Sequence, residues 1–464
     1  MPRPAARSHS TQPPPADARD CALRWLAMQA ARFPTLDIAP LDAAGLPARE
    51  QALAHAIADA VRERWLSLEA VLNAFLKRPL RAAEPASQAA LLGGAAQLLL
   101  LDRIPEHAAI DESVRWVKRA ARPSAGGLVN GVLRNLGRAL ERDSAGAIAR
   151  RESFAWRPDE LPLGAGAIGF NRALLPEEEV ARTSAQVSLS PWLVRRWLAE
   201  DPRRARARML HTLADAPITL NVAHAAALPQ GTHIQAHAAP GSAIFTGSRA
   251  ELTGLLAEHP DIWVQDAASA APIAQFQPAR PPRLIADVCA GSGTKTRQLA
   301  ARFPEAEIIA SDPDSARSAA LGRIFAGAAR VRVMAPDEAR AAALGRADLV
   351  LLDVPCTNTG VLGRRPEARY RAGQSQLERL CGIQRQIIAD AIPLLAPASR
   401  GGGVILYATC SLEPEENERQ AAWVRQWHRC SVAPVVSVEP AGLPGEAAAG
   451  YRDGAYAVAL GGFG

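Results

Sequence analysis

Five apolar runs follow one another from Pro282 onward: "RLIADVC", "AEIIAS", "ARVRVM", "ADLVLLD" and "GGVILYA", with helical stretches between them. A short apolar run without polar alternation has to be covered on both faces, which is the situation of a central parallel strand. Repeated with helices between, such runs predict an open α/β sheet that binds ligands outside the carboxyl ends of its strands. The tail carries "VVSVEP" and, directly after "RDG", "AYAVAL". These two read as an antiparallel pair closing the sheet.

The rest of the chain has a different grain. At 464 residues it is too long for one core, and three domains are expected. Residues 1–18 are polar and Pro-rich and read as a disordered leader without the apolar segment of a signal peptide. From 19 to 145 the spacing is helical, as in "EQALAHAIADAVRERWL", "ASQAALLGGAAQLLLLDRI" and "GLVNGVLRNLGRAL", which predicts an all-α bundle. Residues 164–281 are mixed. "SPWLVRRWLAE" starts a helix with Ser190 at the N-cap and Pro191 at N1, "RAELTGLLAE" is a second helix, and "PITLNV" and "DIWVQD" look like strands. This predicts a small α+β domain, with strands only after about residue 210. The α/β sheet then occupies 282–464.

Charged residues make up 22% of the chain, too balanced for global disorder, and the net charge of +6 is compatible with a polyanionic partner without being diagnostic. Six cysteines (21, 289, 356, 381, 410 and 430) form no zinc spacing, and no apolar run is long enough for a membrane span. Reduced thiols and a cytoplasmic location are expected.

"ADVCAGSGTKTRQLA" leaves the first strand and opens a helix. Gly291 and Gly293 let a ligand approach the backbone. Thr294 before Lys295 departs from an NTP-binding loop, and Thr296 departs from the dinucleotide pattern. A nucleoside-type ligand remains. Asp312, about 20 residues on at the end of the second strand, could accept from ribose hydroxyls. Cys356, in "LVLLDVPCTNTG", and Cys410, in "VILYATCSL", both stand just past predicted strands on the ligand edge. A buried structural thiol is the ordinary reading of a cysteine and suits Cys21, Cys381 and Cys430. The polar loop around Cys356, with Asp353, Pro355 and Asn358, weakens it there. Spacing leaves open which of Cys356 and Cys410 attacks.

"DVCAGSGTKT", "LLDVPCTNTGVLGRRPE" and "YATCSLEPEENE" resemble the signature motifs of the RNA 5-methylcytosine methyltransferases. "RIPEHAAIDESV" and "GLVNGVLRNLGR" resemble the NusB-like RNA-binding domain that precedes the catalytic unit in the bacterial small-subunit rRNA cytosine-5 enzymes of Sun/Fmu type, and "PITLNV" and "WVQDAAS" resemble their middle domain. The resemblance spans roughly residues 20–460. It implies an all-α NusB-like domain, a small α+β domain and a Rossmann-like methyltransferase domain that uses S-adenosylmethionine on 16S rRNA. It also implies Cys410 as nucleophile at carbon 6 of cytosine and Cys356 as its assistant in proton removal and release. The resemblance further implies that Asp353 holds the base edge at N3 and N4, with Lys295 either orienting it or neutralising the pocket, or lying on the surface as an ordinary lysine. Cofactor contacts are implied for Cys289, Ala290, Gly291, Ser292, Gly293, Thr294 and Lys295, with Asp312, Asp337 and Asp353. The family loop reads CAAPGGKT, so Gly291, Ser292 and Thr294 are departures, and β-branched Thr294 suits its place only at negative φ. An unpaired or flipped cytosine is the implied target and a monomer the implied state; Arg134 and Arg138 could face RNA, although a solvated helix face is the ordinary reading of either alone. A non-catalytic RNA-binding factor with a decayed enzyme domain, or an enzyme for another RNA, are the alternatives.

Overall fold

A computed structural model describes residues 15–38, 41–229 and 233–463. Most of the expected leader, 1–18, lies outside the described residues; Asp17 at its end caps the first helix. The chain forms two compact units, one running to Leu189 and the other starting at Ser190.

The first unit contains α1 (Ala18–Ala30), α2 (Ala48–Asn73), α3 (Pro85–Leu100), α4 (Glu106–Ala120) and α5 (Ala125–Ala139). Helix α3 is apolar on every side and packs against α1, α2, α4 and α5, as a central helix must. Gly93 and Gly94 make this possible. A Cβ at either would stand 2.4 Å from Leu23 Cδ2 or 2.5 Å from Leu133 Cδ1.

Strands appear earlier than residue 210. Strands β1 (Arg150–Arg151), β2 (Glu160–Pro162) and β3 (Ala167–Gly169) form an antiparallel sheet in the order β1-β3-β2, followed by α6 (Glu179–Val187). Two or three residues per strand are too few to show a period. Buried Arg64 on α2 donates to the carbonyls of Pro162 (2.8 Å) and Gln186 (3.1 Å). These bonds fasten the 160–187 stretch to the helices. The segment expected as one α+β domain, 164–281, is therefore shared between the two units.

The second unit opens with α7 (Pro191–Glu200), whose Ser190 Oγ accepts from Leu193 N–H, and α8 (Pro202–His211). A small antiparallel sheet follows, in the order β5-β6-β4-β7: β4 (Ile218–Asn221), β5 (Ile234–Ala236), β6 (Ser242–Phe245) and β7 (Trp263–Val264). The expected strands are β4 and β7; β5 and β6 were not anticipated. Helix α9 (Arg249–Glu258), with a capping box on Ser248, and α10 (Ala267–Gln275) complete this part.

The large sheet is built from β8 (Leu284–Asp287), α11 (Thr294–Arg302), β9 (Glu307–Ala310), α12 (Ser315–Ile324), β10 (Val331–Val333), α13 (Pro336–Ala343), β11 (Leu349–Asp353), α14 (Ala368–Arg371), α15 (Gln374–Ala391), β12 (Val404–Thr409), α16 (Glu418–His428), β13 (Ser431–Val438) and β14 (Ala455–Gly461). Its order is β10-β9-β8-β11-β12-β14-β13. The first five are parallel, and β14 joins β12 and β13 antiparallel, as the tail predicted. Val350 and Leu352 enter one core with Ile405 and Tyr407, while Leu349 and Leu351 enter the other with Leu406 and Ala408. Burial on both faces is why the run is continuous. Strand order reverses between β8 and β11, so the crevice of a doubly wound sheet opens beyond their carboxyl ends. Among the described residues no helix is long and apolar enough to cross a membrane.

Candidate active site

Both loops that meet at this crevice are shaped by glycine. Gly291 (φ +57°) and Gly293 (φ +89°) take the left-handed region. Gly293 is needed for space too, since a Cβ there would lie 2.7 Å from Leu321 and 2.8 Å from Phe325. At Gly291 a Cβ would meet nothing within 4 Å, so the cradle is open on that side. Gly293 is the N-cap of α11 and Thr294 its first residue, outside the positive-φ set. The β-branched substitution is therefore unstrained. Buried Asp312, just beyond β9, accepts from Gly291 N–H and Asp314 N–H, each at 2.9 Å. It ties the loop to the next strand, and its carboxylate keeps lone pairs for a ribose hydroxyl.

Asp287, the last residue of β8, was not singled out from the sequence; its only signal is that place at a strand end. It is buried, with Oδ2 accepting from Thr296 Oγ1 at 2.6 Å and Oδ1 left without a partner. Burial, with the Asp353 charge adding to it and the Thr296 bond opposing, pushes its pKa up to about 7. An orphaned acceptor beside an open glycine cradle fits a ligand with donors, such as the amino group and ribose of S-adenosylmethionine. Cys289 and Ala290 lie in the same turn, and burial followed by the Asp287 charge raises the Cys289 thiol far above its usual range. Ser292 lies between the two glycines. Asp337 is exposed in the first turn of α13, beyond an outer strand two positions from β8.

The raised Asp287 pKa has a stability consequence. The folded protein holds that proton more tightly than the unfolded chain, so the contribution is full below the ordinary carboxyl value of 3.8 and is lost as the pH rises through about 7. Asp287→Asn, melted without cofactor, should be the more stable protein near about pH 8, by a few kcal/mol, and lose that advantage near about pH 4. An advantage independent of pH would show that the carboxylate charge is not its source.

Asp353 ends β11 and receives Lys295 Nζ at 2.9 Å; Nζ also donates to Ser269 Oγ at 3.2 Å. The lysine side chain is only 13% exposed, so it is no ordinary surface lysine. Burial pulls its pKa down, but the charge and hydrogen bond of Asp353 outweigh this and the net shift is upward.

The two cysteines come together: Cys356 Sγ and Cys410 Sγ are 3.3 Å apart, both free thiols. Backbone closeness makes this possible. Gly360 N–H donates to the Cys410 carbonyl at 2.9 Å, and Gly454 N–H to the Gly360 carbonyl at 2.7 Å. A Cβ on Gly360 would stand 2.7 Å from that Cys410 oxygen. Asn358, at φ +62°, bridges the pair, its Nδ2 donating to the Cys356 carbonyl (2.8 Å) and its Oδ1 accepting from Cys410 Sγ (3.3 Å). Asn tolerates the left-handed region because its short polar side chain bonds locally. The hydrogen bond to Cys410, then burial, then the Cys410 and Glu416 charges raise the Cys356 thiol well above its ordinary value. Cys356 is thereby held as the thiol. Cys21, Cys381 and Cys430 are buried elsewhere.

Two family models match the chain: residues 18–138 match the NusB family, and residues 274–443 match the 16S rRNA methyltransferase RsmB/F family. The chain is 30% identical over 434 residues to the ribosomal RNA small subunit methyltransferase B of Vibrio cholerae, covering 89% of both chains. It is 30% identical over 381 residues to the protein of the same name from Xanthomonas campestris, covering 80% of this chain and 78% of that one. The crystal structure of PH0851 shares the fold, with a TM-score of 0.69 over 97% of this chain and 99% of its own, at 20% identity.

Proposed function

The chain belongs to the ribosomal RNA small subunit methyltransferase B family, S-adenosylmethionine-dependent rRNA methyltransferases, and from that premise we propose that it methylates carbon 5 of a cytosine in 16S rRNA through a covalent cysteine adduct at carbon 6. The observation that carries this reading is the pair of free thiols 3.3 Å apart on the ligand edge of the sheet. A methyltransferase acting on a nucleophilic nitrogen or oxygen has no use for two such thiols. Carbon 5 of cytosine is a poor nucleophile and needs one.

Bound S-adenosylmethionine supplies an electrophilic methyl group. Asp287, Gly291 and Asp312 are the residues that would hold it. Cys410, as thiolate, gives an electron pair to carbon 6, and the C5=C6 pair moves to carbon 5, which takes the methyl. Asp353, held by Lys295 at 2.9 Å, accepts from the base edge at N3 and N4 and stabilises the charged ring. Water takes the carbon 5 proton, the electron pair returns to C5=C6, and Cys410 leaves as thiolate. Cys356 serves this second half. Its sulfur lies 3.3 Å from that of Cys410, within reach for a thiol proton given by Cys356 to stabilise the thiolate that leaves.

A base inside a duplex cannot reach two sulfurs at a sheet edge, so the target cytosine is unpaired or flipped. In the first unit Arg134 and Arg138 line a recess of about 350 Å³ with Glu106, His107, Ile110 and Asp111. We assign it to RNA backbone contact, as phosphates favour arginine. Six free cysteines support a reducing, cytoplasmic setting. We take the protein to act as a monomer. Thr294, one of the three departures in the glycine loop, is unstrained, which speaks against reading the domain as a decayed enzyme.

Bisulfite mapping of 16S rRNA from a deletion strain and its parent tests the reading. One cytosine protected in the parent and converted in the deletion strain is the expected result. Identical maps would refute it, and a difference confined to another RNA would reassign the substrate.

A further inference from the structure

Cys356 is held from both of its flanking peptide groups by one bonded pair of side chains. The Pro355 carbonyl accepts from Gln384 Nε2 on α15 at 3.0 Å. On the other side Thr357 N–H donates to Glu416 Oε1 (3.0 Å) and Oε2 (3.1 Å), and Thr357 Oγ1 also donates to Oε2. Gln384 Nε2 donates to Glu416 Oε1 as well, at 2.9 Å, which joins the two clamps. Gln420 on α16 donates to Gln384 Oε1 at 3.2 Å and fixes which way that amide faces. Glu416 and Gln384 are both fully buried. A carboxylate is costly in that setting unless donors surround it. Its donors are Thr357 of the Cys356 loop, Gln384 bracing that loop, and Ser411 next to Cys410, so most of its bonds serve the Cys356 side.

We propose that Glu416, together with Gln384, is a positioning residue that aims Cys356 at Cys410 for the release step, resting on the covalent mechanism proposed above. Its place in the chain fits the task. Glu416 follows the nucleophile by one short loop, and Tyr407 on β12 donates to its backbone carbonyl at 2.7 Å. The strand that delivers Cys410 thus also delivers the anchor of Cys356, and the two sulfurs are set by one element. Its charge has a second effect. After the Cys410 hydrogen bond, burial and the Cys410 charge, the Glu416 charge is a further cause that disfavours the Cys356 thiolate.

Glu416→Gln keeps the shape and removes the charge, placing an amide N–H₂ against donors. Gln384→Leu removes the other clamp and serves if the first variant does not fold. Two readouts are made on the full-length protein. The first, without RNA, is the rate at which iodoacetamide alkylates Cys356, read by peptide mass spectrometry with Cys21 of the first unit as internal reference. The expected result is a several-fold rise in either variant, because the thiol is freed and its ionisation is less opposed. An unchanged rate in both variants overturns the proposal. The second is turnover on rRNA, with the covalent enzyme–RNA adduct followed on denaturing gels. The expected result is adduct formed at the wild-type rate but slow to resolve, with turnover down on the order of 10²-fold and KM for RNA unchanged. Loss of adduct formation itself would make Glu416 a support of Cys410 and overturn the proposal. Raised alkylation with full turnover would leave the clamp standing and show that Cys356 does not serve release, which is a failure of the mechanism and not of the clamp.

Discussion

Cys410→Ala forms neither adduct nor product, whereas Cys356→Ala accumulates an enzyme–RNA adduct that survives denaturing electrophoresis. This is the expected result if the two sulfurs divide the reaction as their surroundings indicate. Without the Cys410 sulfur nothing adds to carbon 6, carbon 5 stays a poor nucleophile, and methyl transfer stops at the first step. Without Cys356 the addition and the methyl transfer still proceed. The thioether then persists, because its departure loses the S–H donor that stood 3.3 Å from the leaving sulfur. The assignment also agrees with protonation. Cys356 is driven upward by its hydrogen bond to Cys410 and by burial, which disfavours its thiolate and suits it to a donor's part. Incubating each variant with a 16S rRNA fragment and labelled cofactor reads both outcomes on one gel. An adduct from Cys410→Ala and none from Cys356→Ala would exchange the roles. Turnover unaffected by either change would make both cysteines structural and end the covalent mechanism.

The largest stability effect should come from Arg364, a residue that touches neither sulfur. Its guanidinium donates to Asp453 (2.8 Å), to Asp266 (3.1 Å) and to the Pro217 carbonyl (2.9 Å), and both carboxylates are almost wholly buried. Burial, then the Asp453 charge, already raises the Asp266 pKa, with Arg364 opposing. Arg364→Ala leaves two buried acids facing each other, since Asp453 N–H is bonded to Asp266 Oδ1 at 3.3 Å. Removing one partner of a buried ionic cluster costs about 3–5 kcal/mol. The sign with pH follows from the raised Asp266. Its contribution is full below the ordinary carboxyl value and is lost as pH climbs through the folded value, and without Arg364 that value rises further. The variant's deficit should therefore be larger near about pH 8 than near about pH 5 in chemical denaturation. An equal deficit at both would mean that lost packing on Tyr451, which lies under the guanidinium, outweighs the charges. Activity should fall with stability, because Asp453 precedes Gly454, whose N–H holds the Gly360 loop beneath Cys410.

Much of this site was legible one segment at a time. Buried parallel strands announce themselves as continuous apolar runs, and all five were in place, as was the closing antiparallel pair. The glycine loop, Asp353 and the two cysteines each stand where a strand stops, and a strand's end can be read locally. Strands β1 to β3, β5 and β6 could not be read, because they lack the β-like runs that marked the equally short β4 and β7, and their pairing partners supply the order. The division after Leu189 could not be read either, since Arg64 reaches across about a hundred residues to bind Pro162 and Gln186.

Sequence by itself determined the fold class and the chemical inventory: apolar period, glycine spacing, two thiols and an acid at strand ends. Tertiary structure alone decided how those groups are poised. It put the sulfurs 3.3 Å apart, made Lys295 the partner of Asp353, left Asp287 with an unpaired oxygen, and set Glu416 and Gln384 around Cys356. The physical reason is range. Backbone periodicity is a property of neighbours along the chain, whereas these hydrogen bonds join groups 29 to 59 residues apart, and only the closed sheet brings them together.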